Sequence, residues 1–80
     1  MDFGKAIEAL KEGKKVARAG WNGKGMYLYL ADGKLLTEEI GDGSYPFTDT
    51  VVMKTADDKY CIGWLASQTD MLAEDWEVIE

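Results

Sequence analysis

The stretch Gly20-Trp21-Asn22-Gly23-Lys24-Gly25 combines a stacking surface with small hydrogen-bonding groups. Its glycines let the backbone approach another molecule closely, while Trp21 offers an aromatic plane and Asn22 both donates and accepts hydrogen bonds. These groups suit recognition of a nucleotide base. Asn-Gly turns also join ordinary hairpins, and a tryptophan beside a turn often covers a core. The stretch therefore predicts either a ligand-binding loop or a structural turn.

A second stretch, Gly63 to Trp76, places a polar Ser-Gln-Thr-Asp run between Trp64 and Trp76. Ser67 and Asp70 have the spacing of a helix capping box, which predicts a short helix over residues 68–73. The unpaired amide groups at such a helix start attract anions. Alternatively, Ser67 and Asp70 satisfy only their own backbone, and the two indoles serve the core.

The residue types argue against an enzyme. The chain has no histidine, so a Ser-His or Cys-His nucleophile cannot form within one chain. Its single cysteine, Cys61, leaves no internal disulfide and, without histidine, no soft metal-ligand set. Because Cys61 lies in an apolar strand candidate, we expect it to be a small core residue. The pair Asp57-Asp58 is expected in a turn, where its charges are solvated. Taken together, the residue types predict no catalytic residue, metal or cofactor.

Composition narrows the possible partners and the setting. A net charge of −6 disfavours DNA or RNA as a polymeric partner, because affinity for nucleic acid comes largely from lysine and arginine. The 46% hydrophobic content indicates a folded protein, and a thin core at 80 residues favours self-association. The cysteine usage fits a reducing, cytosolic setting, and no apolar run predicts a signal peptide or a membrane span.

The periodicity predicts an α+β fold for a single domain over residues 1–80, with an N-terminal helix packed on a small, largely antiparallel β-sheet. Apolar residues at helical spacing predict the helix over residues 3–12, capped by Asp2 and ended by Gly13. Strands are expected at 15–19, 26–30, 50–55, 59–64 and 76–79, with the short helical turn before the last strand. Asp32-Gly33 predicts a two-residue hairpin that returns residues 34–37 onto strand 26–30.

The segment Gly41 to Asp49 predicts an irregular loop that carries two large rings, Tyr45 and Phe47. The rings either tuck into the edge of the core or form a lid or partner contact.

Several blocks resemble the Thoeris anti-defence 2 family of small phage and prophage proteins. The resemblance is carried by the residues of Asp2 to Gly13, Val16 to Arg18, Gly20 to Met26, Met53 to Asp57 and Trp64 to Trp76. It implies a molecular sponge that binds glycocyclic ADP-ribose, and in some members cyclic dinucleotides, without cleaving the signal. It also implies a homotetramer with ligand pockets between subunits, acting in the host bacterial cytoplasm.

Carried onto this chain, the resemblance assigns the ligand to residues of both tryptophan-bearing stretches. Trp21 and Trp64 would stack on the base or enclose the ligand, and Asn22 would contact polar edges of the base or ribose. Ribose hydroxyls and phosphates would meet groups of Ala66, Ser67, Thr69 and Asp70. The nearest cations in the sequence are Arg18 and Lys24. The chain departs from the family pattern over residues 31–52, which puts the preferred nucleotide in question.

Two other functions compete with the sponge. A structural or protein-interaction module would inhibit a host defence protein by docking on it directly, using the same aromatics. A nucleotide-degrading hydrolase would need a base that this composition does not provide near neutral pH.

Overall fold

The computed structural model describes residues 1–21 and 24–79, which form three helices and a five-stranded antiparallel sheet. The elements are α1 (Phe3–Lys11), β1 (Val16–Arg18), β2 (Tyr27–Ala31), α2 (Gly33–Ile40), β3 (Thr50–Lys54), β4 (Tyr60–Ile62), α3 (Gln68–Leu72) and β5 (Trp76–Val78). The strand order is β4-β3-β2-β1-β5. The predicted α+β class, with an N-terminal helix and a short helix before the last strand, is confirmed.

Helix α1 forms where the apolar spacing predicts it. The Asp2 side chain accepts a hydrogen bond from the Lys5 amide at 2.9 Å, which satisfies one of the unpaired donors at the helix start. Gly13 follows the last turn with a φ of +86°, a conformation that glycine adopts without the penalty of a Cβ atom. The buried face of α1 packs on β1, β2 and β5. The core cluster consists of Ala6, Ala9, Leu10, Val16, Leu28 and Trp76.

Strands β1 and β5 form the side of the sheet that carries the candidate site. Val16 pairs with Leu28 of β2 on one side and with Val78 of β5 on the other. The same register sets Arg18 opposite Trp76. Because alternate residues of a strand share a face, Arg18 and Trp76 lie on the face that α1 covers.

The predicted hairpin at Asp32-Gly33 is wrong, because this dipeptide begins α2. The Asp32 side chain accepts from the Lys34 amide at 2.8 Å and caps the helix. The edge of β2 that residues 34–37 were expected to occupy is taken by β3, in a register that pairs Tyr29 with Val52. A side-chain oxygen before a helical run and a tight turn before a strand share the same sequence signal, and here long-range pairing decides between them.

The exposure of side chains overturns the expectation for Cys61 and, for Tyr45, one of the two alternatives given for the loop rings. Cys61 is exposed rather than buried, because β4 is the edge strand and α1 packs on β1, β2 and β5. The 41–49 segment is an irregular loop as predicted, yet Tyr45 is 85% exposed, so its ring does not tuck into the core edge. The Phe47 amide donates to Thr37 Oγ1 at 2.7 Å and ties the loop to α2.

The face of the sheet opposite α1 carries a row of tyrosines. Tyr29 lies between Tyr27 and Tyr60, with ring centroids 6.4 and 5.7 Å away, and Ile62 extends the row on β4. Tyr60 and Ile62 are exposed. Within the described residues, the helices are too short and too polar to cross a membrane.

Candidate functional site

The residues singled out in the sequence converge on one aromatic cluster. Trp21 follows β1 and Trp64 follows β4, and each indole meets the ring of Trp76 nearly perpendicularly. The ring centroids lie 5.4 Å apart for Trp21 and 6.3 Å apart for Trp64. Phe3 of α1 completes the cluster at 5.4 Å from Trp76. Trp21 and Trp64, which are far apart in the sequence, therefore pack against the same ring.

The three tryptophans differ in how much of each ring is available. Trp76 is only 2% exposed, and its Nε1 donates to the carbonyl oxygen of Asp70 at 2.9 Å. Trp21 and Trp64 are half-buried, so part of each ring remains on the surface. A half-buried indole on a rigid base can accept a stacked ligand ring, whereas the buried Trp76 serves the core.

The start of α3 is the polar part of the site. Ser67 and Asp70 form the predicted capping box, in which Ser67 Oγ accepts from the Asp70 amide at 3.1 Å and donates to Asp70 Oδ2 at 2.9 Å. Ala66 is half-buried and Thr69 is exposed at the first turn. Asn22, the remaining predicted site residue, lies outside the described residues. The structure thus brings Trp21, Trp64, Ser67 and Asp70 together around Trp76.

An ion-pair network that the sequence analysis missed lies under this site. The guanidinium of Arg18 donates from Nε to Asp75 Oδ1 at 2.8 Å and from Nη1 to Asp70 Oδ1 at 2.9 Å. The other carboxylate oxygen of Asp75 accepts from the Gly20 amide at 2.9 Å. Asp75 is a neighbour of Arg18 only because β1 pairs with β5, and no local sequence signal indicates that pairing.

These contacts shift the pKa values of all three charged groups, and each shift favours the charged form. Hydrogen bonds first with Asp75 and then with Asp70 raise the pKa of Arg18. The hydrogen bond from Arg18, supported by the Gly20 amide, lowers the pKa of Asp75. Partial burial raises the pKa of Asp70, but hydrogen bonds from Arg18, Ser67 and Trp21 outweigh it and leave the pKa lowered. All three groups are therefore charged across the neutral range.

The arrangement offers binding rather than an evident reaction centre. In residues 1–21 and 24–79, no cluster of carboxylates and cysteine could hold a metal ion. Two concavities of about 330 and 380 Å³ lie elsewhere, one between the end of α1 and Asp49 and the other between Tyr29 and α2. Neither concavity is lined by a tryptophan or by a residue of the Ser67 to Asp70 turn.

Comparison with known proteins finds similarity over nearly the whole chain. A sequence model of the family described as the Thoeris anti-defense 2-like domain matches residues 1–79. The chain is also similar to a protein of Bacillus phage SP01 named Thoeris anti-defense 2. The two are 45% identical over 85 residues, which cover 99% of this chain and 94% of the relative.

Proposed function

The chain belongs to the Thoeris anti-defense 2-like family, and from this premise we propose that it sequesters cyclic nucleotide immune signals without cleaving them. Family membership supports a phage anti-defence role. The finer proposal is that the protein binds glycocyclic ADP-ribose, and cyclic dinucleotides as alternative ligands, in the host bacterial cytoplasm. By holding the signal, it keeps the host effector inactive.

The observation that carries the proposal is a pair of half-buried indoles that both pack against one buried indole. Trp21 and Trp64 both contact Trp76, and each keeps an exposed part. Stacking of a base on an aromatic side chain is worth about 1 to 3 kcal/mol, so each indole is expected to strengthen binding by roughly tenfold. Because Trp76 fixes both rings before the ligand arrives, little side-chain entropy is lost on binding.

The polar residues take complementary roles in this proposal. The exposed Thr69 and the first amides of α3 would donate to ribose hydroxyls and phosphate oxygens, because the first amides of a helix lack partners within it. Ala66 leaves room for the ligand beside Trp64, and Asn22 reads a polar edge of the base or ribose. Both oxygens of Asp70 are already engaged, by Arg18 and Ser67. Asp70 and Ser67 therefore hold the start of α3 in place for the ligand.

We further propose that the binding unit is a homotetramer, with pockets completed between subunits. Leu65 and Leu72 flank the candidate site and are 89% and 72% exposed. The tyrosine row with Ile62 is a separate apolar surface on the opposite face of the sheet. A tetramer of two-fold dimers needs two different self-complementary surfaces, and we propose these two exposed apolar surfaces for that role.

The deciding experiment follows the ligand through a binding cycle. Glycocyclic ADP-ribose is titrated into the protein by calorimetry, the complex is isolated, and the ligand is released by heat and analysed by mass spectrometry. We expect stoichiometric binding and recovery of the intact ligand. Recovery of a hydrolysed product at substoichiometric protein would show an enzyme. Absence of binding to this ligand and to a panel of cyclic dinucleotides would favour direct docking on a host defence protein.

Variants then connect binding to the indoles. Trp64→Ala is expected to weaken affinity about tenfold or more while the protein remains folded. Tyr45→Ala is the matched control, because it removes an exposed aromatic ring from a loop outside the cluster. Equal affinity of the two variants would contradict the proposed site, and an unfolded Trp64→Ala protein would assign Trp64 to the core.

A further inference from the structure

The guanidinium of Arg18 is committed to internal contacts. It donates from Nε to one carboxylate and from Nη1 to another, at 2.8 and 2.9 Å, and its side chain is 17% exposed. Charge-assisted hydrogen bonds of this length are among the stronger ones in proteins, and two of them fix the plane of the guanidinium. Arg18 is thus held at the end of β1.

Each of the two carboxylates extends the contact to a different tryptophan-bearing segment. Asp75 Oδ2 accepts from the amide of Gly20, the residue before Trp21. Asp70 Oδ2 accepts from the hydroxyl of Ser67, at the end of the turn that follows Trp64. Arg18 is therefore linked through one carboxylate to each segment that supplies a half-buried indole.

The charges argue against a second use of Arg18 as a phosphate ligand. One guanidinium faces two carboxylates, so the cluster of Arg18, Asp70 and Asp75 has a net negative charge. A phosphate oxygen that reached the remaining N–H groups of Arg18 would also approach both carboxylates, and like charges at such distances repel. Arg18, which precedes Trp21 in the sequence, thus has its Nε and Nη1 engaged in the fold.

We propose that Arg18 is a positioning residue, which fixes the Trp21 segment and the start of α3 to the same strand and makes no contact with the ligand. This inference rests on the proposed function for its effect on affinity. It also makes a claim about the free protein, namely that the Gly20 amide is held in place through Asp75 and Arg18. The two claims are measured separately.

The first measurement separates positioning from direct contact by calorimetry with glycocyclic ADP-ribose. Arg18→Lys keeps the charge but cannot make both hydrogen bonds in the same plane, so we expect about tenfold weaker binding. Asp75→Asn is expected to weaken binding to a similar degree, because it loosens Arg18 and Gly20 together. The double variant is expected to bind the ligand no more weakly than the weaker-binding single variant, because both changes break the same hydrogen-bond network.

A direct phosphate contact predicts the opposite pattern. If Arg18 met the ligand, Asp75→Asn would free the guanidinium and leave affinity unchanged or tighter, which would overturn the proposal. Asp57→Asn is the matched control, because it makes the same chemical change in the exposed ion pair between Lys59 and Asp57, in the turn between β3 and β4. Asp57→Asn is expected to leave affinity unchanged.

The second measurement needs no ligand. In hydrogen exchange followed by NMR, the Gly20 amide is expected to exchange about tenfold faster in Arg18→Lys and in Asp75→Asn, while the Leu10 amide of α1 keeps its wild-type rate. If the wild-type protein binds no cyclic nucleotide, the proposed function fails, and the exchange of Gly20 still tests Arg18. An unchanged Gly20 rate in both variants would overturn the positioning role whatever the ligand results.

Discussion

Replacing Trp76 by phenylalanine tests whether the buried indole supports the whole site. The substitution keeps an aromatic ring in the core but removes Nε1, which donates to the Asp70 carbonyl at 2.9 Å. It also replaces the indole by a smaller ring at the position that contacts Phe3, Trp21 and Trp64. Phenylalanine is preferable to alanine here. Complete truncation would cost about 3 to 5 kcal/mol, a large part of the roughly 4 to 12 kcal/mol that stabilises a domain of this size.

The expected cost has two parts. Loss of one hydrogen bond contributes about 1 kcal/mol, and the smaller ring loses the burial of roughly two carbon groups at about 0.8 kcal/mol each. The free energy of unfolding should therefore fall by about 2 to 3 kcal/mol. For a domain of this length each kcal/mol lowers the melting temperature by about 4 to 8 °C, so Trp76→Phe should melt about 10 to 20 °C below the wild type.

The measurement is thermal unfolding at one fixed protomer concentration, because self-association makes the melting temperature depend on concentration. Trp64→Phe is the matched control. It makes the same chemical change in a half-buried ring, and it should cost about 1 kcal/mol or less. Equal losses in the two variants would refute the assignment of Trp76 to the core and Trp64 to the surface of the site.

Two other predictions concern the loss of stability in acid and the room for a Cβ atom at two glycines. The pKa values of Asp70 and Asp75 are lowered in the folded protein, so their stabilisation is complete above the unfolded value of about 3.9 and is lost as the pH falls below it. Melting temperatures between pH 6 and 2.5 should fall steeply below about pH 4, and less steeply in Asp75→Asn; equal slopes would contradict the ion-pair network. Gly33→Ala should destabilise by about 1 to 3 kcal/mol, because its Cβ would lie 2.5 Å from the backbone carbon of Thr48. Gly4→Ala, whose nearest contact is 3.4 Å, should stabilise α1 by up to about 1 kcal/mol, as denaturant titration of both variants would show.

Features set by neighbouring residues could be predicted from the sequence. The spacing of Phe3, Ala6 and Leu10 predicts α1, and the Ser67 and Asp70 pair predicts the start of α3, because both depend on contacts within one or two turns. The resemblance to a known family added the pairing of Trp21 with Trp64 as a common site. In the structure, both rings contact Trp76.

Features set by distant pairing could not be predicted in the same way. Asp32-Gly33 is compatible with a hairpin and with a helix start, and the occupation of the β2 edge by β3 decides the outcome. Cys61 has apolar neighbours in the sequence, yet its exposure follows from the position of β4 at the edge of the sheet. Asp75 becomes a partner of Arg18 through the register of β1 with β5. Each of these depends on which strand lies beside which.

The pairing of β1 with β5 has a consequence for the order in which the protein folds. Arg18 and Asp75 are 57 positions apart, whereas Lys54 and Tyr60 of β3 and β4 meet across a short turn. Because closing a long loop costs more entropy than closing a short one, we expect β3 and β4 to associate early and the tryptophan cluster to assemble last. During refolding, the backbone signal in circular dichroism should rise before tryptophan fluorescence reaches its native value. A chain still emerging from the ribosome would then have part of its sheet but not the tryptophan cluster, which would assemble only once β5 was free to reach β1.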